Sequence, residues 1–451
     1  MDTLLKENKM GTMPVNKLLL SLSLPLVISM LMQAMYNVVD SLFVARVSEN
    51  ALTAVSLAFP IQNFMIAVGV GTGVGMNAYL SRSLGEKNKK DVDLAANNGI
   101  FLAFLSYIVI LVLGLALSGF YYKAQTDIAE IIEGGETYIK ICLIGSFGLF
   151  LQITMERLLQ STGKAFFSMI TQITGAVINI IFDPIFIFGY FGFPAMGVAG
   201  AALATVMGQI IAMLLGLFLN IKANKEISIS LKCFKPDIHA IKRIYSVGFP
   251  SIIMQSVSSV MTFGMNNILL AFSSTATAVF GVYFKLQSFV IMPVLGLNNG
   301  MVPIISYNYG AGNKDRIIKT IKLSIVAAVT IMALGLAAFQ ILPYQILMIF
   351  DASENMLEIG IPALKIISIH FILAGFSIIM NAVFQAFGKG FYSLLVSLTR
   401  QLIVLLPVAF LLSKTDVLAN VWWSFPIAEV VSVSICCFFM TKIYKNIIKK
   451  I

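Results

Sequence analysis

The chain has 451 residues, of which 58% are hydrophobic and only 12% are charged, and its mean hydropathy is +0.91. A soluble globule cannot hide that much apolar surface, so the composition predicts a polytopic membrane protein and excludes a large enzyme domain outside the membrane. At about 20 residues per crossing plus connections, the length corresponds to roughly twelve spans. The net charge of +10 requires no nucleic acid, because lysines at a membrane face contact the anionic head groups of the bilayer.

Twelve apolar stretches follow one another along the chain, separated by charged residues and by Gly, Pro or Asn. They are continuous and rich in Leu, Ile, Met and Ala, which predicts helices rather than the short alternating strands of a transmembrane barrel. The predicted spans cover residues 18–42, 51–80, 94–119, 137–160, 168–190, 197–220, 244–271, 277–305, 317–341, 358–386, 391–413 and 418–441.

The basic residues are distributed unevenly between the two ends of these spans. Of the 31 lysines and arginines, 24 fall in the amino terminus, in alternate connections (two of them within residues 156–164) and at the carboxyl end. The opposite connections hold only Arg46, Lys123, Lys140 and Lys414, and the other three lie inside apolar runs. Because cytoplasmic connections are enriched in Lys and Arg, both termini are predicted to be cytoplasmic.

The two halves of the chain match each other at a shift of 225 residues. The matches cluster in the connections that follow the second and fourth spans of each half. Two prolines and two glycines inside the spans keep the same shift. The matched pairs are Ser81/Ser306, Gly85/Gly310, Asn88/Asn313, Gln160/Gln385, Gly163/Gly388, Lys164/Lys389, Ser168/Ser393, Pro25/Pro250 and Gly75/Gly300.

Six spans per half is an even number, so both halves have the same orientation and are expected to be related by an axis along the membrane normal. We therefore predict an all-α integral membrane protein made of two parallel six-helix bundles with pseudo-twofold symmetry. The predicted segments are a cytoplasmic amino terminus 1–17, an N-lobe 18–221, a cytoplasmic linker 222–243, a C-lobe 244–441 and a cytoplasmic tail 442–451.

Two acidic residues lie inside predicted spans of the first half, where a charge is costly and requires a cavity, a partner or an interface. Asp40 ends a polar stripe on span 1 that begins at Gln33 and continues through Tyr36 or Asn37 at helical spacing. An interfacial cap near the end of the span is the alternative role for Asp40.

Asp183 lies on span 5 and shares a helix face with Asn179 and Gln172. Pro184 follows it, and is expected to bend the helix and to leave a backbone oxygen free near the acid, as Pro25 and Pro250 are expected to bend spans 1 and 7. Oxygen ligands of this kind suit a hard cation, and a dry carboxyl can also carry a proton.

The second half has no acid at the positions equivalent to Asp40 and Asp183. We expect Arg400 and Glu429 either to form a buried pair or to line a substrate path, Lys365 to reach the interface, and His370 to be a packing residue; Lys285 receives no role. The glycine-rich run at residues 69–75 lies inside a span, which favours close helix packing over a phosphate loop.

Several segments resemble the multidrug and toxic compound extrusion (MATE) transporters, particularly the MepA-like bacterial branch. They are YNVVDSLFVAR on span 1, the connection SRSLGEKN, ERLLQSTGKAFFSM and, most specifically, NIIFDPIFIFG on span 5. The resemblance covers essentially the whole chain. It implies an antiporter, not an enzyme, in a bacterial plasma membrane, that exports cationic or amphipathic small molecules in exchange for H+ or Na+ by rocker-switch alternating access.

The resemblance also implies a site for Na+ or a proton, formed by Asp40, Asn179, Asp183 and Thr205. The residue pattern alone supports the first three of these and not Thr205. No cofactor beyond the coupling ion and no oligomer is expected. Candidate cavity residues for the substrate are Gln33, Tyr36, Asn37, Gln62 and Gln172.

Three other functions remain open from the sequence. A flippase of the same superfamily for a lipid-linked precursor would need a strongly cationic cavity, for which the inner cations are sparse. A membrane-embedded hydrolase or transferase would need paired carboxylates, a metal site or a nucleophile with a base, and the chain has only two histidines. A passive channel is disfavoured by the repeat with its one-sided acids.

Overall fold

The computed structural model describes residues 7–230, 236–350 and 352–451, and these residues are almost entirely helical, with no strand among them. Within these ranges eleven helices are long and apolar enough to cross a membrane, and there are twelve spans when a bent pair of helices is counted as one. Spans 1 to 9 are Val15–Ala45, Glu49–Gly85, Lys89–Gln125, Ala129–Ser161, Ala165–Phe188, Val198–Ala223, Ile238–Leu270, Ser274–Gly310 and Lys314–Ile341. Span 10 is Glu354–Ser368 with Phe371–Ala386, span 11 is Gly390–Ser413 and span 12 contains Ser424–Asn446.

Short helical segments lie outside the spans. They are Lys9–Thr12 before span 1, Tyr190–Gly192 after span 5, Pro343–Met348 after span 9, Leu418–Val421 before span 12 and Ile448–Lys450 at the end. Span 6 ends at Ala223 and span 7 begins at Ile238, so the connector between the lobes is shorter than the predicted linker 222–243. Cys233, in this connector, lies outside the described residues.

The helices extend beyond the apolar stretches that predict them, because polar residues cap them. Ser48 accepts a hydrogen bond from the backbone N–H of Ala51 and begins span 2, and Ser273 accepts one from Ala276 and begins span 8. Each such cap satisfies a backbone donor that the first helical turn leaves free. The two serines are 225 residues apart, so the capping obeys the same repeat as the sequence.

The two lobes, spans 1–6 and spans 7–12, cross each other at glycines. A Cβ on Gly75 of span 2 would lie 2.0 Å from the carbonyl oxygen of Ile244 on span 7, and one on Gly300 of span 8 would lie 2.8 Å from the Cα of Ser23 on span 1. Gly85 and Gly310 make the reciprocal contacts between spans 2 and 8, at 1.9 Å from the oxygen of Tyr307 and 2.1 Å from that of Arg82.

These contacts occur in pairs related by the shift of 225, so the predicted pseudo-twofold arrangement of two parallel six-helix bundles is confirmed. The glycine-rich run 69–75 packs against a helix as predicted, because a Cβ on Gly71 would meet the side chain and backbone of Ile252. Only glycine allows the two backbones to approach this closely.

The amino-terminal segment bridges the lobes at the end of the molecule that bears the connections 86–88, 162–164, 311–313 and 387–389, here called the basic face. Asn8 donates from Nδ2 to the carbonyl oxygen of Thr162 in the N-lobe at 3.1 Å. On the C-lobe side, Arg316 donates from Nη2 to the carbonyl oxygen of Met13 at 2.7 Å. Direct helix packing and this segment together close the basic face.

Two irregularities of the C-lobe were not predicted. Span 10 bends by 50° between Ser368 and Phe371, beside His370. Span 11 contains a π-helix, Thr399–Leu405, around Arg400. Pro25, Pro184 and Pro250 all lie inside continuous helices, so the bends expected there stay predictions.

We expect Gly75→Ala to lower the free energy of unfolding by about 1–3 kcal/mol, because its methyl group would overlap the backbone of span 7 and force the lobes apart. The measurement is thermal unfolding of the purified protein in detergent. Gly281→Ala is the control, since it makes the same change on a helix where a Cβ meets nothing within 4 Å. Equal melting temperatures for the two variants would contradict the account of the crossing.

Candidate cation and substrate site

Four polar side chains from spans 1, 5 and 6 meet inside the N-lobe. The carboxyls of Asp40 and Asp183 lie within hydrogen-bonding reach of each other. With its amide oriented to satisfy both ends, Asn179 donates to Oδ2 of Asp183 and accepts from the hydroxyl and the backbone N–H of Thr205, each at 3.2 Å. The structure thus brings together Asp40, Asp183, Asn179 and Thr205 as one continuous series of contacting side chains.

Local packing explains this convergence. Asn179 and Asp183 are four residues apart on span 5, so they lie on one face. Gly208 of span 6 faces Gly175 of span 5 so closely that a Cβ on Gly208 would lie 2.7 Å from the carbonyl oxygen of Gly175. The close approach of the two helices brings Thr205, one turn before Gly208, within hydrogen-bonding distance of Asn179.

The two acids differ in their access to solvent. Asp183 is completely buried, whereas Asp40 lines a cavity. Oδ1 of Asp40 is buried and has no hydrogen-bond partner among the described residues. A hydrogen bond between two carboxyls requires one proton. The atoms of the cluster that could ligate a cation are all oxygens. These residues therefore fit either a proton or a hard monovalent cation such as Na+.

The outer chamber is a cavity of about 420 Å³ in the N-lobe, away from the basic face. Gln33, Tyr36, Asn37 and Gln62, all predicted cavity residues, line it together with Asp40. Gln62 is held in place by donating from Nε2 to the hydroxyl of Tyr138 at 3.0 Å. Polar groups thus face an otherwise apolar wall of the kind that binds amphipathic ligands.

The inner chamber, of about 140 Å³, adjoins the outer chamber and shares Gln33, Tyr36 and Thr205 with it. The predicted residue Gln172 lines it, and so does Glu156, which is only 6% exposed. Gln152 donates to one carboxylate oxygen of Glu156 at 2.9 Å, and Gln172 donates to the other at 2.7 Å.

The sequence reasoning missed Glu156 and misplaced Arg157. Arg157 was counted in the basic connection 156–164, but it is buried within span 4 and donates to Asn299 of the C-lobe at 2.9 Å. Gln152, Glu156 and Gln160 recur every four residues, and this spacing was the available signal for a polar helix face.

Neither chamber is lined by the C-lobe residues singled out in the sequence, Arg400, Glu429, His370, Lys285 and Lys365, and the lining residues described belong to the N-lobe. Arg400 and Glu429 form an ion pair at 3.3 Å, which selects the buried pair over a role in lining these chambers. His370 is buried against the rings of Phe371 and Phe425, as expected of a packing residue. Lys285 and Lys365 are exposed.

Comparison with known proteins decides the family. The family model described as MatE matches residues 25–185 and again residues 250–411, so its two matches begin at the repeat-related prolines. The chain belongs to the MatE family. The two matches to one family model confirm the internal repeat, and the resemblance to MATE transporters is confirmed as well.

Relatives in the MatE family align with nearly the whole chain. A multidrug export protein MepA from Staphylococcus haemolyticus (strain JCSC1435) is 29% identical over 430 residues, covering 94% of this chain and 92% of the relative. The protein of the same name from Staphylococcus aureus (strain MRSA252) is 26% identical over 419 residues, covering 92% and 91%.

Among solved structures, one described as the outward-facing conformation of a multidrug resistance MATE family transporter of the MOP superfamily is similar throughout. It has a TM-score of 0.92 and 25% identity, and the alignment covers 99% of this chain and 100% of that chain. The chain is therefore a multi-pass membrane protein with the MATE fold.

The hydrogen bonds between Asn179 and Thr205 should make their substitutions non-additive. We expect Asn179→Leu to lower the free energy of unfolding by about 1–3 kcal/mol, because Asp183 loses its donor in a buried site. Combining it with Thr205→Val should give a coupling of about 0.5–3 kcal/mol in thermal unfolding. Thr330→Val, on the exposed surface of span 9, is the control that should combine additively with Asn179→Leu. Additivity of both pairs would contradict the geometry.

Proposed function

We propose that this protein is a secondary multidrug exporter that exchanges cationic or amphipathic small molecules for H+ or Na+. The observation that carries the proposal is the series of contacting side chains Asp40, Asp183, Asn179 and Thr205, which begins at the edge of a cavity in the N-lobe. Asp40 belongs both to the wall of this cavity and to the pair with the buried Asp183. A cationic drug in the outer chamber and a coupling ion on the pair therefore compete for the same negative charge.

The competition couples the two ligands. A proton or Na+ bound between Asp40 and Asp183 removes one unit of negative charge from the pair, so the attraction for a cationic drug weakens and the drug leaves. When the coupling ion departs, the negative charge returns and the next drug binds. Each ligand shifts the equilibrium between conformations only by its differential affinity for them, so mutually exclusive binding is what drives exchange.

Alternating access requires the cavity to open on one side at a time. We propose that the basic face is cytoplasmic and that the protein lies in a bacterial plasma membrane with both termini inside, in accord with the distribution of lysine and arginine. The lobes are packed at that face, so this conformation is outward-facing. Rocking of the lobes about the glycine crossings would open the basic face.

The walls of the chambers favour organic cations over a lipid-linked precursor. Arg157 is the one basic residue of the two linings, and it is engaged by Gln160 and Asn299. A pyrophosphate group would find several acceptor oxygens and only one cation in these chambers. We propose that the protein works as a monomer, because both chambers are complete within one N-lobe, and that it needs no cofactor beyond the coupling ion.

Asp183→Asn should abolish coupled export while leaving the fold intact. The amide keeps the shape of the side chain but cannot become negative or release a proton, so the pair loses its exchangeable charge. The measurement is efflux of a fluorescent organic cation from liposomes that contain the protein, under a pH gradient alone and then under a Na+ gradient alone. We expect one gradient to drive efflux, and the variant to fall to the level of protein-free liposomes.

Asp127→Asn is the matched control, since it makes the same change in the exposed connection between spans 3 and 4 and should keep wild-type efflux. Full gradient-driven efflux by Asp183→Asn would refute the assigned role of the pair. Absence of efflux by the wild-type protein under either gradient would refute the antiport mechanism and favour the lipid flippase.

A further inference from the structure

We propose that Glu156 and Gln172 form a subsite that binds the head group of a cationic substrate carrying N–H donors, such as an ammonium, guanidinium or amidinium group. The proposal rests on the proposed function, because it assigns a substrate class to the same transport cavity. It concerns the inner chamber, however, and leaves the coupling pair of Asp40 and Asp183 to the exchangeable ion.

Glu156 takes part in no ion pair among the described residues, although Arg157 lines the same chamber. No lysine or arginine nitrogen lies within 4.0 Å of its carboxylate among the described residues. The neighbouring Arg157 is one residue further along span 4 and donates instead to Gln160 and Asn299. A nearly buried carboxylate without a counter-ion is costly inside a membrane and commonly marks the place of a cationic ligand.

The hydrogen bonds around Glu156 specify what the ligand must supply. Each carboxylate oxygen accepts one amide N–H, from Gln152 or Gln172, and can accept another. Oε1 of Gln172 is buried and has no partner among the described residues. That oxygen belongs to the amide that contacts Glu156, so the acceptor oxygens of Glu156 and Gln172 lie close to each other in one chamber. A group with several N–H donors and a positive charge satisfies them, whereas a quaternary ammonium or a phosphonium brings charge but no donor.

The size of the inner chamber fits a head group rather than a whole drug. Its volume is about 140 Å³, against about 420 Å³ for the outer chamber. The apolar side chains of Met30, Ile66 and Ile153 line it and can hold the carbon stem of the ligand. The two chambers adjoin at Tyr36 and Thr205, so we place the rest of the molecule toward the outer chamber, where Asp40 lies.

The test measures binding of two cationic probes to the purified wild-type protein and to Glu156→Gln. The first probe is 4′,6-diamidino-2-phenylindole, whose amidinium groups carry N–H donors, and the second is tetraphenylphosphonium, which has none. Loss of a charge-assisted hydrogen bond should weaken binding of the first probe by at least about tenfold, while the second changes by less than about twofold. Binding is read by fluorescence for the first probe and by equilibrium dialysis for the second.

Two further variants make the result specific. Glu136→Gln makes the same change on the surface of span 4, where Glu136 pairs with Lys140, and should leave both affinities unchanged. Gln172→Leu keeps the charge of Glu156 but removes the unpartnered oxygen, so it should also weaken the first probe selectively, and it replaces Glu156→Gln if that variant does not fold. Equal losses for both probes, or no loss for either, would overturn the proposal. Because binding needs no gradient, a failure of antiport in liposomes does not affect this test.

Discussion

Close backbone contact between the lobes at glycines is the constraint on which the rest of the structure depends. Gly75 against Ile244 and Gly300 against Ser23 leave no room for a side chain, so spans 1, 2, 7 and 8 meet directly at the basic face. Within a bilayer such close contacts hold helices together by van der Waals packing, because leucines pack against lipid tails as well as they pack against another helix. Both chambers described above lie within the N-lobe, away from this tight packing.

The free-energy cost of burying the polar groups of the N-lobe is reduced because these groups contact one another in a series. Asp183 has no exposed surface, yet Asn179 connects it to Thr205 and its carboxyl meets that of Asp40. The carboxylate of Glu156 accepts bonds from two glutamines at the other end of the same space. A buried polar group without a donor costs far more than one with a donor, so these amides allow the acids to remain in the interior.

The sequence alone was sufficient to predict the features of the fold that depend on composition and periodicity. The twelve spans, the repeat of 225 residues and the helix face shared by Asn179 and Asp183 follow from apolar runs, matched glycines and helical spacing. The joint site of Asp40, Asn179, Asp183 and Thr205 came from the resemblance to MATE transporters. Glu156 was missed because its neighbour Arg157 resembles a loop cation, and only tertiary packing turns that arginine toward Asn299 of the other lobe. The bend at His370 has no proline or glycine at the break itself, so it depends on contacts that one sequence does not display. The π-helix around Arg400 ends two residues before Pro407, which cannot donate a backbone hydrogen bond, so a local irregularity there was open to prediction.

The repeat preserves the backbone of the two lobes but not their chemistry. The C-lobe positions equivalent to Asp40, Asp183 and Glu156 are Met265, Val408 and Asn381, and those equivalent to Asn179 and Thr205 are Val404 and Val430. All ionisable groups that face the chambers therefore belong to one lobe. In the proposed cycle the C-lobe contributes its packing surface: Gly300, Gly310 and Asn299 contact the N-lobe, and the C-lobe moves relative to a lobe that binds the two ligands in turn. With this division the C-lobe need not bind a ligand or change its protonation. A ligand that binds the N-lobe with different affinities in the two conformations is enough to shift the equilibrium between those conformations.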